Sequence, residues 1–354
     1  MTKQRKGNIQ CTLAYISFFL SGCFIFSPLH KSQNIIISVS SAFITGFILL
    51  KLILSLPLKK QTGSIKSKPL FTVLCLFSLG LSVFVNLMLI TEIIKDTAYV
   101  AARGVSLGYY FLLTLAILFV SYRLCRGKDK GIFRFSTLTC AGFIIFTAIM
   151  FFCFFTTKSA VWNFDPDIYS TAPSSLLTGV ITGLFLTADS SIYIFALSRF
   201  YKTGTDKLFS LPLKRGFIIS FCLIAAYNIL TAAIFGTALT TSIKDPDYAL
   251  IKLIPGMDIT ELVSAIRIVS FTIKSALYVY ATSHFTALLF PAKKNTFTLS
   301  ASLQYLLMPL TVGVLSVFDS TLGYGAFQHL IIPAVIVLSL IIIILGALLQ
   351  KNEA

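Results

Sequence analysis

Two charged side chains lie inside long apolar stretches of this chain. Asp189 lies in the stretch 174–198, and Lys274 lies near the centre of the stretch 261–289. A charged side chain at the centre of a membrane helix costs about 2.5–3.5 kcal/mol on insertion scales, so such residues are rare and face the interior of a helix bundle. Asp189 and Lys274 are therefore candidates for an internal ion pair, or each for holding a proton or a charged group of a solute.

The stretch that contains Lys274 carries further polar residues at helical spacing. Tyr278 follows Lys274 by four residues, and Arg267 precedes it by seven. Residues at these spacings lie on one face of an α-helix. We therefore predict that this face points into a bundle of helices and not towards lipid.

Small and polar residues interrupt the first apolar stretch, 11–27, and the sixth, 174–198, which contains Asp189. If ten helices form two repeats of five, these two hold matched positions, and matched interrupted helices are typical of a mid-membrane solute site. The alternative is that the glycines and serines serve close helix packing. The candidate substrate-binding residues are Ser21, Gly22, Cys23, Gly183, Thr187, Asp189, Lys274 and Tyr278.

Ten apolar stretches run along the 354 residues and predict one polytopic, all-α membrane domain covering 1–354. About 20 apolar residues in a helix span a hydrocarbon core of roughly 30 Å. The chain is 56% hydrophobic and 12% charged, whereas a soluble domain carries about 25% charged residues. We predict a 5+5 inverted-repeat, transporter-like bundle with interrupted helices 1 and 6. The predicted spans are about 11–27, 34–55, 70–94, 104–123, 135–156, 174–198, 215–239, 261–289, 299–318 and 327–349.

The distribution of Lys and Arg predicts the orientation of these spans. With the N-terminus inside, 20 of the 29 basic residues fall at cytoplasmic ends and loops, and six fall on the opposite side. Cytoplasmic loops of membrane proteins carry such an excess. The pattern predicts a multi-pass protein of a bacterial inner membrane, cytoplasmic or spore, with both termini in the cytoplasm.

Several function classes find little support in the sequence. The net charge of +16 is spread over short loops and tails, which indicates topology and attraction to the lipid bilayer, not nucleic-acid binding. The three histidines, His30, His284 and His329, form no H-E-x-x-H motif, and no CxxC or phosphate-binding loop occurs. We therefore expect no enzyme activity, no catalytic residue, no metal and no cofactor.

Several segments resemble the B subunits of spore germinant receptors, the endospore germination permease family of the amino acid–polyamine–organocation transporter superfamily. The clearest is 271–281, Phe-Thr-Ile-Lys-Ser-Ala-Leu-Tyr-Val-Tyr-Ala, which is similar to a family segment of phenylalanine, isoleucine, lysine, isoleucine and serine. The segment 255–262 occupies the place of the loop before that helix, and 131–134, Gly-Ile-Phe-Arg, resembles the family's entry to helix five. Asp189 stands about where many members have a glutamate. The length and the ten spans also match.

The resemblance implies a permease-like receptor subunit that binds a small-molecule germinant, such as an amino acid, and signals germination. Its expected partners are an A-type membrane subunit and a C-type lipoprotein. The residues alone leave a second function open, a proton-coupled secondary transporter of amino acids or other small polar solutes, in which Lys274 or Asp189 couples transport to protons. A structural scaffold with a closed core is a third and weaker interpretation.

The predicted topology can be tested by cysteine labelling in intact and permeabilised cells. A cysteine in the segment 59–68 should react with a membrane-impermeant maleimide only after permeabilisation, because four basic residues place this segment inside. The Ser159→Cys variant should react without it, and the parent chain is the control for the native cysteines. Labelling of both positions from the same side would contradict the ten-span topology.

Overall fold

A computed structural model describes residues 3–26, 34–55, 71–80, 82, 107–126, 129–156, 168–197, 206–236, 249, 260–289 and 333–345. Within these residues the regular secondary structure is entirely α-helical. The helices, numbered here in chain order, are α1 Lys3–Phe26, α2 Ile35–Ser55, α3 Phe71–Gly80, α4 Leu107–Arg126, α5 Asp129–Thr156, α6 Ile168–Leu197, α7 Asp206–Phe235, α8 Thr260–Leu289 and α9 Pro333–Leu345.

The described helices have the character of a membrane protein. Three stretches, Ile35–Ser55, Gly131–Ile149 and Ser210–Phe235, are long and apolar enough to cross a bilayer. Large apolar side chains such as Leu112 and Phe155 are exposed on the outside of the bundle, at 65% and 78%. Lipid tails are a favourable solvent for such a surface. Helices α1 to α8 overlap the first eight predicted spans and α9 overlaps the tenth, with α3 covering only part of the third. The ninth span, 299–318, lies outside the described residues.

The structure differs from the prediction that helices 1 and 6 are interrupted. Helix α1 continues without a break through Ser21 and Gly22, and α6 continues through Gly183 and the polar residues that follow it. Both helices therefore keep their helical backbone through these small and polar residues. The small residues of α6 serve a different purpose, which is contact with α2.

Helices α2 and α6 are the most closely packed pair. A methyl group on Gly183 would overlap the backbone of Ala42, with its carbon only 2.9 Å from the Ala42 Cα atom. At Gly179 a methyl group would overlap Ser41 and Ser38 in the same way. Small residues let membrane helices approach until their backbones touch, which maximises van der Waals contact. The alternative interpretation of the α6 glycines, close packing, is thus the one that the structure supports.

Aromatic side chains fill the space between α1, α2 and α7. The rings of Phe217 and Phe221 on α7 lie 4.7 Å apart between centroids, and Phe19 of α1 contacts both at 5.5 Å. Phe43 of α2 contacts the same two rings at 5.9 and 5.6 Å. Offset and edge-on ring contacts of this kind contribute about 0.5–1.5 kcal/mol per pair beyond area burial. They join α2, and with it α6, to the centre of the bundle.

Hydroxyl and thiol groups link further helices by donating to backbone carbonyls. Ser17 of α1 donates to the Ser136 carbonyl of α5 at 3.0 Å, and Ser121 of α4 donates to the Thr272 carbonyl of α8 at 2.9 Å. The Cys125 thiol donates to the Ala276 carbonyl at 2.8 Å. Cross-helix hydrogen bonds of this type average about 0.6 kcal/mol in membrane proteins. Helix α8, bonded to α4 on one side, presents its other side to α1 and α6.

The close contact of α2 with α6 generates a stability prediction. Gly183→Ala should lower the midpoint of thermal unfolding in detergent, because overpacking costs about 1–3 kcal/mol and the obstructing atoms are backbone. Gly80→Ala is the matched control, since a methyl group there meets no atom of the described residues within 4 Å. The control should be neutral or slightly stabilising because alanine favours helix. Equal midpoints for the two variants would contradict the packing.

Candidate functional site

The structure joins Asp189 of α6 to Lys274 of α8 in an ion pair. The Lys274 Nζ atom lies 2.8 Å from the Asp189 Oδ2 atom, and both side chains are about 6–7% exposed. A buried charge is tolerated only when a partner compensates it, since the loss of hydration costs several kcal/mol per ion. Of the alternatives that the sequence left open, the direct contact of these two residues is the one observed.

Tyr278 completes the coordination of the carboxylate. Its hydroxyl donates to the Asp189 Oδ1 atom at 2.7 Å, so the two carboxylate oxygens have different partners. Tyr278 follows Lys274 by one helical turn, which places both side chains on the α6-facing side of α8. The predicted polar face of α8 is confirmed in its burial, because Arg267, Lys274 and Tyr278 are only 3–5% exposed.

Phe18 of α1 closes the cluster from a third helix. The Lys274 Nζ atom lies 5.2 Å from the centroid of the Phe18 ring and 5.8 Å from that of Tyr278. The two rings meet edge to face, with centroids 5.6 Å apart and an interplanar angle of 80°. An ammonium group within about 6 Å of an aromatic face is attracted by the ring quadrupole. Among the described residues, Lys274 therefore has one ionic and two aromatic partners.

A further polar contact joins α1 to α6 through Ser190, the residue that follows Asp189. The Tyr15 hydroxyl and the Ser190 hydroxyl are 3.3 Å apart, and Ser190 also donates to the Thr187 carbonyl at 2.8 Å. Tyr15 and Ser190 are fully buried. Helix α6 thus contacts α8 through Asp189 and α1 through the adjacent Ser190.

The remaining candidate residues lie elsewhere in the described structure. Gly183 packs on α2, and a side chain at Gly46 of α2 would approach the Thr187 hydroxyl, so Thr187 also faces α2. Ser21 is buried on α1 and donates to the Phe18 carbonyl at 2.7 Å. The surroundings of Gly22 and Cys23 lie outside the described part of the chain. The structure therefore brings together Asp189, Lys274 and Tyr278 of the eight candidates.

Sequence reasoning did not select Phe18, Tyr15 or Ser190 as site residues. Ser190 adjoins Asp189 in the polar end of α6, so its position offered a signal. Phe18 precedes Ser21 by three residues and shares its helix face, but 33 phenylalanines occur in the chain. Composition and spacing offer no way to distinguish Phe18, whose ring covers Lys274, from the other phenylalanines.

The cluster has the groups needed for charge recognition or proton exchange. It contains one carboxylate, one ammonium and one phenol in contact, with the ring of Phe18 beside the ammonium. Among the described residues no group of three His, Cys, Asp or Glu side chains is arranged to hold a metal ion. The chemistry available is the binding of an ionic group of a solute, or the transfer of a proton to or from Asp189.

No protein-family model matches the chain. No curated protein matches it either.

The ion pair generates a double-mutant prediction. Lys274→Met should lower the unfolding midpoint strongly, because breaking a buried pair by removing one partner typically costs about 3–5 kcal/mol. Asp189→Asn should do the same by leaving the ammonium without its counter-ion. The double variant should recover most of the loss, since no unpaired charge remains. Additive losses in the double variant, measured by thermal unfolding in the same detergent, would contradict direct coupling of the two charges.

Proposed function

We propose that this chain is the permease-like B subunit of a spore germinant receptor, which binds a small solute and signals germination. The observation that supports the proposal is the charged cluster of Asp189, Lys274 and Tyr278, held on facing helices inside an apolar bundle. Ionisable residues at such depth are costly and mark solute or ion sites in membrane proteins. The resemblance of the segment around Lys274 to the family also supports it.

The proposal includes the full architecture expected from the sequence. The chain would form one domain of ten membrane spans in a 5+5 repeat, lie in the inner membrane, and keep both termini in the cytoplasm. Supporting this are the alternation of basic loops and the coincidence of the described helices with the apolar stretches. The partners would be an A-type membrane subunit and a C-type lipoprotein, which would relay the signal.

A second candidate function, proton-coupled secondary transport, is favoured by the surroundings of Asp189. Its carboxylate contacts two groups that carry exchangeable protons, the Lys274 ammonium and the Tyr278 hydroxyl. Protonation of Asp189 would alter both contacts, and loss of a proton from Lys274 or Tyr278 would alter the contact of that residue. Proton movement would thereby be coupled to the distance between α6 and α8. Net flux of solute distinguishes this function from receptor signalling.

The receptor function predicts that Lys274→Met loses its response even where this destabilised variant reaches native abundance. Dormant spores that carry this variant at native abundance should fail to germinate in a panel of amino acids and sugars to which the wild-type strain responds. Affinity purification in mild detergent should still recover a second polytopic protein and a lipoprotein. Lys51→Met is the matched control, because Lys51 also lies over a phenylalanine ring, at 4.9 Å, but is exposed.

Three outcomes separate the functions. A normal dose–response of Lys274→Met at wild-type abundance would remove Lys274 from the site. Recovery of the free chain alone from wild-type spores would contradict the receptor. Uptake of the active solute by liposomes that contain only this chain, abolished by Lys274→Met and increased by an inward proton gradient, would establish the transporter instead.

A further inference from the structure

The surroundings of the Lys274 ammonium have the composition of a binding site for a cation. A carboxylate lies at 2.8 Å on one side, and the rings of Phe18 and Tyr278 lie at 5.2 and 5.8 Å. A carboxylate combined with aromatic faces is a usual way for proteins to recognise the ammonium group of a ligand. Here these three groups come from α1, α6 and α8, and the ammonium between them belongs to the chain itself.

We propose that Asp189, Phe18 and Tyr278 form an ammonium-binding site that Lys274 fills as a tethered occupant. The ligand is then a small solute with a primary ammonium group, which takes the place of the Lys274 Nζ atom when it binds. The inference rests on the proposed function only in assigning this ligand to the solute of that function. The site itself is defined by contacts within the chain.

The arrangement makes Lys274 a displaceable group and not a fixed one. Its ammonium stands at the end of a four-carbon stem with several rotatable bonds, whereas Phe18 and Tyr278 are rigid rings packed edge to face. Asp189 is held by the hydrogen bond from Tyr278 in addition to the ion pair. Departure of Lys274 therefore leaves the carboxylate and the rings in place.

Charge balance restricts how the exchange occurs. Asp189 carries one negative charge, so it compensates the solute ammonium or Lys274, but not both. A displaced Lys274 must pair with an anionic group of the same solute, or release its proton as the solute enters. In both cases the number of uncompensated charges inside the bundle remains zero, as burial requires.

Chemical rescue tests the site directly. In Lys274→Ala the missing atoms are those of an n-propylammonium ion, so adding this ion to the purified full-length variant should raise its unfolding midpoint in a saturable manner. Half-saturation should be on the order of millimolar, as expected for a ligand of four non-hydrogen atoms. n-Propanol, which lacks the charge, should have no effect. The wild type should require at least roughly tenfold more propylammonium, because its tethered lysine competes at high effective concentration.

Two further variants assign the rescue to the proposed groups. Asp189→Asn combined with Lys274→Ala should show no rescue, because no carboxylate remains. Phe18→Leu combined with Lys274→Ala should raise the half-saturating concentration roughly threefold to tenfold, which is the range expected for a lost cation–π contact. If Lys274→Ala is not recovered in folded form, propylammonium in the growth medium should restore its recovery.

The outcomes separate this inference from the proposed function. Absence of saturable rescue, with or without the amine during expression, overturns the ammonium site even if Lys274→Met spores lose their response. Equal rescue by n-propanol, or rescue that persists in the Asp189→Asn background, also overturns it. Rescue that depends on Asp189, in a protein whose Lys274→Met spores respond normally, supports the ammonium site and contradicts the proposed function.

Discussion

Two opposite charges inside an apolar bundle must each keep a counter-charge, and this requirement favours the position of α6 beside α8. The Asp189–Lys274 pair is 2.8 Å apart and almost fully buried. Neither residue has bulk water to replace a lost partner, so separation of α6 from α8 by a few ångströms would leave two uncompensated charges. The relative position of α6 and α8 is therefore constrained at the level of this pair. The hydrogen bond from Tyr278 and the ring of Phe18 reinforce the same constraint.

Helix α6 meets this constraint because one of its faces packs against α2 and another faces α8. Gly179 and Gly183, one turn apart, lie against α2, with Thr187 a further turn along on the same face. Asp189 follows Gly183 by six residues, which at about 100° per residue places it roughly 120° away around the helix. The packing face fixes α6 by backbone contact with α2, and the aromatic rings of α2 and α7 fix that pair in the bundle. Asp189 is thereby aimed at α8 without a break in its helix.

The site residues that the sequence predicted are those for which placing a charge in an apolar membrane interior costs much free energy. Lys274 and Asp189 had to be buried and compensated, and Tyr278 shares the Lys274 face by simple helical spacing. The predicted breaks in helices 1 and 6 were wrong. In α6, the same glycine pattern is compatible with an unwound turn and with a close helix contact. Only the position of Ala42 opposite Gly183 distinguishes the two uses. The role of Phe18 depends on how α1 is placed beside α8, and no local pattern in the sequence of α1 predicts that placement.

A buried ion pair is a poor means of stabilising a fold, since apolar residues of the same volume often do so as well or better. The α2–α6 contact and the ring cluster already hold the helices without charges. The ion pair differs from these contacts because it can be changed by a proton, or by a solute charge that competes with Asp189 or Lys274. Neither a proton nor a solute charge changes the contact of Gly183 with Ala42. In the proposed receptor, glycine packing on one face of α6 and an exchangeable charge contact on another would let the binding of a solute at Asp189 displace α6 together with α2.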